Sequence, residues 1–133
     1  MQEIVERMIE NMKQTCAVYE QILQTEREKQ RGMIESRLAL LTATIAHQES
    51  LVAQAGALEG ERLELRRQLA QADRRLGPDA RFHQLLEILE EPLRARLADG
   101  RARLIALTEQ IYDFNCANRQ LLKEIACACT HQA

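Results

Sequence analysis

The sequence predicts an all-α fold, an elongated antiparallel three-helix bundle with coiled-coil-like packing. Hydrophobic residues make up 46% of the 133 residues and charged residues 29%, but aromatic residues only 3%. This mixture is typical of long helices, because straight-chain side chains lose little freedom in a helix. Valine and isoleucine never cluster in alternation, so no segment resembles a strand. In the second half, apolar residues recur at alternating four- and three-residue steps, which places them on one seam of a helix.

The first helix is predicted over about residues 3–31. Flanked by Ile9, Cys16 and Leu23, its main seam forms the wide apolar stripe of a bundle helix; the seam consists of Val5, Met8, Met12, Tyr19 and Ile22. The charged segment 26–31 is expected to carry the helix out of the core. Gly32 is predicted to form the turn, and Ser36 to cap the next helix.

The second helix is predicted over about residues 37–76. Its seam slips between Ala55 and Leu58, beside Gly56 and Gly60, which predicts a bend or a loosened turn there. The seam consists of Leu38, Leu41, Ile45, Gln48, Val52, Ala55, Leu58, Arg62, Leu65, Leu69, Ala72 and Leu76. The segment Gly77-Pro78-Asp79 is predicted to end this helix and to turn the chain back.

The third helix is predicted over about residues 80–129, with a kink at Pro92 favoured over a split into two helices. Residues 1–133 would then form one helical bundle domain. The seam of the third helix holds one polar member, Asn118, and one gap, Gly100. It consists of Leu93, Leu97, Gly100, Leu104, Leu107, Ile111, Phe114, Asn118, Leu121, Ile125 and Ala128.

Charge and hydropathy exclude several classes of function. The net charge is −2, and the arginines of segment 66–75 are interleaved with acidic residues. Nucleic-acid binding is therefore not expected. No stretch approaches the roughly 18 apolar residues that cross a bilayer, and the N-terminus does not resemble a signal peptide. A cytoplasmic location with reduced cysteines is expected.

Catalytic and metal sites are not expected either. Cys127 and Cys129 point to different sides of a helix, so only Cys127 and His131 share a face, and two ligands do not close a zinc site. His47 and His83 stand apart from any recognisable nucleophile motif. We therefore predict that the protein is not an enzyme and binds no metal or cofactor.

The third helix has a second apolar flank beside its seam. Together, seam and flank span about 160° from Leu104 to Cys129. Such an arc is suited to an incoming amphipathic helix, although burial of both stripes in the bundle core is an equally good interpretation. The flank consists of Ile105, Thr108, Tyr112, Asn115, Leu122, Ala126 and Cys129.

Three segments carry a family resemblance. They are Tyr19-Glu20-Gln21-Ile22-Leu23 in the first helix, Leu58-Glu59-Gly60-Glu61-Arg62 in the second, and Asn115-Cys116-Ala117-Asn118-Arg119-Gln120-Leu121-Leu122 in the third. In this order the chain resembles the FlgN-like flagellar export chaperones over nearly its whole length. The last segment, Asn-x-x-Asn-x-x-Leu-Leu after a leucine-rich run, is the most specific.

The resemblance implies a non-enzymatic bacterial chaperone of the flagellar type III export system. Such chaperones bind the C-terminal amphipathic helices of hook–filament junction proteins and deliver them to the export gate. Some relatives dock at the export gate through a tail after the last helix; no tyrosine follows Thr130 here, so the resemblance does not carry that tail contact over, and the gate stays one of two candidate partners. The partner-binding role carries over to Leu107, Ile111, Phe114, Asn115, Asn118, Leu121, Leu122 and Ile125, and Tyr112 joins them from the flank.

Two alternatives remain open. A homodimeric structural coiled coil would close the seam between two chains, with Asn118 fixing the register. An adaptor for another helical client would use the same apolar surface. As a chaperone, the protein is expected to be a monomer or a weak dimer.

Overall fold

The computed structural model describes residues 1–77 and 80–132, except for the side chains of His131 and Gln132. Within these residues the chain forms four helices and no strand: α1 (Gln2–Ile34), α2 (Leu38–Ala72), α3 (Phe82–Ile88) and α4 (Leu93–Gln132). The all-α prediction is confirmed, whereas the three-helix bundle is not, because a short fourth helix is present. None of these helices is both long and apolar enough to cross a membrane.

Helix α1 is the central element. It packs against α2 and against α4, but no described Cα atom of α2 lies within 8 Å of a described Cα atom of α4. Helix α2 runs antiparallel to α1, since Asn11 Nδ2 donates to the Leu58 carbonyl (2.9 Å) while Lys29 Nζ donates to Gln48 Oε1 (3.1 Å). Helix α4 runs parallel to α1. An open trough therefore separates α2 from α4.

The turn between α1 and α2 differs from the prediction. Ser36 adopts a left-handed conformation with φ 55° and ends α1, so the prediction that its side chain caps α2 is wrong. The Arg37 amide donates to the Gly32 carbonyl (2.8 Å) and the Ser36 amide to the Met33 carbonyl (3.4 Å). This is the Schellman pattern, in which the position of Ser36 is usually held by glycine.

Gly32 is not the turn itself but a buried residue inside α1. A Cβ atom added there would lie 3.4 Å from Leu41 Cβ, so the missing side chain allows α1 and α2 to approach closely. The predicted loosened turn near Gly56 and Gly60 is also wrong, because α2 stays α-helical through both. Helix α2 ends at Ala72, since Asp73 is already extended. Pro78 and Asp79 of the predicted turn lie outside the described residues.

Pro92 splits the predicted third helix instead of kinking it. Helix α3 ends at Ile88, Leu89 is extended (φ −90°, ψ 145°), and α4 begins at Leu93. A proline has no amide donor and disfavours helical geometry in the preceding residue, so the chain leaves the helix before it. The Arg94 guanidinium then stabilises the end of α3 by donating to the Leu86 carbonyl (2.9 Å) and the Leu89 carbonyl.

The buried core follows the two faces of α1. Cys16 and Leu23 meet Leu107 of α4, while Val18 and Ile22 meet Leu51 of α2. The third and largest cluster lies at the α3 end and combines all four helices; it consists of Val5, Met8, Met12, Leu65, Leu69, Leu76, Leu85, Leu89 and Leu97. Because α1 is the one long helix that packs against α2 and against α4, only a narrow face of each is buried beyond the α3 end.

The predicted seam of α2 is therefore too wide. Three of its members, Leu38, Ile45 and Val52, are 75%, 41% and 56% exposed. Only the side of α2 that faces α1 is buried, and these three residues lie next to that side. An apolar stripe of this width is covered only when a helix has a second neighbour.

Candidate functional site

The candidate site is the trough between α2 and α4, which has a volume of about 1020 Å³. Met8, Met12 and Tyr19 of α1 form its floor, and α3 closes one end. Along α4 it extends from Ala98 to Glu109, which is about 17 Å or three helical turns. A cleft of this length matches about three turns of a helix.

The α4 wall of the trough is apolar and continues past its deepest part. Ile105 lines the trough and is 43% exposed. Tyr112 lies seven residues later, so it projects from the same side of α4; it is 67% exposed. Leu122 follows on this flank at 55% exposure. Ile105 and Thr108 of the second apolar flank thus line the trough, and the rest of the flank continues along α4 beyond it.

The α2 wall carries a matching apolar stripe. Ala70 lines the trough, and Val52 lies about five helical turns before it, on the same side of α2. Ile45 and Leu38 precede Val52 at seven-residue intervals. The exposed seam residues of α2 therefore continue the side of α2 that lines the trough at Ala70.

Beyond the deep part of the trough, Glu26 of α1 links the three long helices. This residue is only 2% exposed. Its Oε1 atom accepts hydrogen bonds from Gln48 of α2 (2.7 Å) and Lys29 (3.1 Å). Its Oε2 atom accepts one from Asn118 Nδ2 of α4 (2.8 Å), and Asn115 Nδ2 lies 3.3 Å from Oε1. The carboxylate thus sets the spacing of α2 and α4 at this level.

Two opposing effects act on the Glu26 carboxyl. Burial by itself raises its pKa, but the hydrogen bonds from Gln48, Asn118 and Lys29 outweigh burial and hold the pKa below its ordinary value. The prediction that segment 26–31 leaves the core is therefore wrong for Glu26. The sequence spacing could have indicated the burial of Glu26, because this residue lies four residues after Ile22 and seven after Tyr19, on the seam of α1.

The predicted partner-binding residues fall into three groups. Leu107 and Asn118 are buried against α1. Five are half-buried along the edge of the α1 contact: Ile111, Phe114, Asn115, Leu121 and Ile125. Of these, Phe114 carries the Arg27 guanidinium 5.5 Å above its ring. Only Tyr112 and Leu122 are exposed, so these two are the predicted residues most accessible to a partner.

The cysteines do not gather into one site. Cys16 is buried and its Sγ atom lies 3.9 Å from the Gly100 carbonyl oxygen. Burial raises the pKa of the Cys16 thiol, and nearby Arg103 offsets part of this. Cys116, Cys127 and Cys129 are exposed. Over residues 1–77 and 80–132, no group of three or more His, Cys, Asp or Glu side chains is placed to hold a metal; the side chain of His131 lies outside this description.

Three long helices around an unfilled trough define a helical protein of the kind that accommodates another helix. The family model described as FlgN protein matches residues 1–128 of the chain. The chain therefore belongs to the FlgN family, a family of flagellar export chaperones. The resemblance found in the sequence is confirmed. Comparisons with curated proteins and with solved structures found no significant match.

Proposed function

We propose that this FlgN-family protein binds the C-terminal amphipathic helices of hook–filament junction proteins in the cytoplasm and prevents their assembly before export. Family membership supplies the general role of export chaperone. The client, the cytoplasmic location and the binding residues belong to the proposal. The observation that carries it is the open apolar flank of α4, where Tyr112 is 67% and Leu122 55% exposed.

The physical argument is that an unassembled client helix needs a temporary cover for its apolar stripe. A helix laid along the trough would bury about 400–600 Å² of apolar surface on the chaperone. At about 25 cal/mol per Å² this contributes roughly 10–15 kcal/mol. Association and side-chain ordering cost a comparable amount. Moderate affinity remains, which suits a carrier that must release its client.

The homodimeric coiled coil has less support. Its register was assigned to Asn118, but that side chain is buried and bound to Glu26 of the same chain. Its amide nitrogen is already engaged, and the whole side chain, including the Oδ1 atom that lacks a partner, is buried within one chain and is not accessible to a second copy. Size-exclusion chromatography with light scattering provides the test, and we expect a monomer or a weak dimer at micromolar concentration.

The direct test is calorimetric titration of the protein with C-terminal peptides of junction proteins. Tyr112→Asp combined with Leu122→Asp is expected to abolish binding, while circular dichroism and the melting temperature stay near wild type. Ala106→Asp combined with Ala117→Asp serves as the matched control, because both alanines are exposed on α4 and lie on the side away from the trough. Equal binding by the two double variants would show that this flank does not contact the client.

A further inference from the structure

Cationic side chains border the end of the trough that lies next to α3. Arg62 and Arg66 of α2, Arg81 at the start of α3 and Arg101 of α4 all line it; Glu109 is the one carboxylate among the described lining residues. The whole chain has a net charge of −2, so this concentration of positive charge is a local feature. It does not follow from the composition.

These guanidinium groups are only weakly engaged within the chain. Arg101 is exposed and lies 4.7 Å above the Phe82 ring, and neither Arg101 nor Arg81 pairs with a described carboxylate. Arg66 donates to the Ala80 carbonyl (2.8 Å). Arg62 pairs with Glu59, whose side chain is 58% exposed, and exposed pairs of this kind contribute little. All four retain donors for an incoming carboxylate.

Helix α3 demonstrates which kind of element fills this space. Leu85 of α3 and the adjoining Leu89 share one buried cluster with Leu65 of α2, Leu97 of α4 and Met8 of α1. Phe82, Leu85 and Leu86 of α3 line the unfilled trough, which also shares Met8 of α1 and Leu69 of α2 with this cluster. The open trough is therefore continuous with a helix–helix interface that already exists in the chain.

We infer that this end of the trough binds an acidic amphipathic helix, about three turns long, with carboxylates on both flanks of its apolar stripe. Carboxylates on one flank would meet Arg62 and Arg66 of α2, and those on the other would meet Arg101 of α4, with Arg81 at the α3 end of the trough. Identifying this helix with part of an export client rests on the proposed function. Charge complementarity at the rims speeds encounter and orients the helix, whereas a basic helix of equal apolarity is repelled.

Two synthetic helices test the inference on the full-length protein. Both are about 18 residues long with one apolar stripe at helical spacing, and the flanking positions carry glutamate in one and lysine in the other. The glutamate peptide is expected to bind, with an affinity that falls about tenfold on raising the salt from about 50 to 300 mM. The lysine peptide is expected to bind at least tenfold more weakly than the glutamate peptide at about 50 mM salt.

The variant Arg62→Glu with Arg101→Glu is expected to bind the glutamate peptide about tenfold more weakly than wild type does, and to bind the lysine peptide more tightly than wild type does. Its matched control is Arg67→Glu with Arg96→Glu. These two arginines lie on the same helices, are exposed and do not line the trough; Arg67 also loses an exposed pair with Glu64, as Arg62 does with Glu59. If the charge reversal impairs folding, the milder variant Arg62→Gln with Arg101→Gln replaces it, and it is also expected to bind the glutamate peptide more weakly than wild type does.

The inference is overturned if wild type binds the two peptides with equal affinity. It is also overturned if the trough variant and its control lose the same affinity for the glutamate peptide. A wild-type dimer that Arg62→Glu with Arg101→Glu dissociates, and that neither peptide disrupts, would assign the trough to a second copy and overturns it as well. A third measurement uses C-terminal peptides of junction proteins. If these peptides do not bind while the glutamate peptide does, the proposed function is wrong and the inference stands. If they bind equally to the trough variant and its control, the inference is wrong and the proposed function stands.

Discussion

Asn118 Nδ2 of α4 lies 2.8 Å from Glu26 Oε2 of α1, and both residues are buried. The same amide nitrogen donates to the Glu26 backbone carbonyl, also at 2.8 Å. Glu26 accepts a further bond from Gln48 of α2. One carboxylate therefore holds both walls of the trough in place, and it does so without closing the space between them.

The first prediction concerns acid stability. The native-state pKa of Glu26 is lowered, so its charged form stabilises the fold above the unfolded-state pKa of about 4.3, and this contribution is lost as the pH falls through the native pKa. Urea unfolding of wild type and Glu26→Gln is expected to show a stability gap at pH 7 that narrows below about pH 4. A gap that stays constant down to pH 2.5 contradicts this assignment.

The second prediction separates the two asparagines. Asn118→Ala is expected to lower the free energy of unfolding by about 1–3 kcal/mol, because it leaves a buried carboxylate without one of its donors. Asn115→Ala is the matched control and should cost less, since Asn115 is half-buried and its bond to Glu26 is 3.3 Å long. The measurement is chemical denaturation followed by circular dichroism. Equal losses would mean that the Glu26–Asn118 bond does not stabilise the helix packing.

The third prediction concerns the exposed glycines of α2. Nothing lies within 4 Å of a Cβ atom built on Gly56 or Gly60, and glycine inside a helix costs about 1 kcal/mol relative to alanine. Gly56→Ala combined with Gly60→Ala is therefore expected to raise the free energy of unfolding by about 2 kcal/mol. Gly32→Ala is the control, with a smaller gain or a loss, because its Cβ would lie 3.4 Å from Leu41 Cβ. No gain from the α2 pair would contradict the assignment of both glycines to open α-helical positions.

The fourth prediction concerns the end of α1. Ser36 holds a left-handed conformation at φ 55°, which costs a side-chain-bearing residue about 1–2 kcal/mol. Ser36→Gly is expected to stabilise the protein by about 0.5–1 kcal/mol, after the added entropy of the unfolded chain is subtracted. The melting temperature measured by calorimetry provides the check. Ser36→Ala keeps the strain and should not stabilise; a gain equal to that of glycine would rule out backbone strain as the cause.

Local chemistry determined much of this molecule. Helical composition and seam spacing were enough to predict an all-α chain and the long helices, because side-chain entropy and the 3.6-residue repeat act within one segment. The spacing also revealed the second apolar flank of α4, which includes Tyr112 and Leu122, and the segment that ends in Leu122 supported the family. For Pro92 the sequence allowed either a kink or a split into two helices; the kink was favoured, and the structure has the split.

Other features were decided only by tertiary structure. Spacing along a helix shows which residues share a face, but not which neighbour covers that face. The sequence therefore did not reveal that α1 alone separates α2 from α4, that Leu38, Ile45 and Val52 stay exposed, or that Glu26 is buried between Gln48 and Asn118. Each of these depends on contacts between segments far apart in the chain, and such contacts form only once the helices pack together.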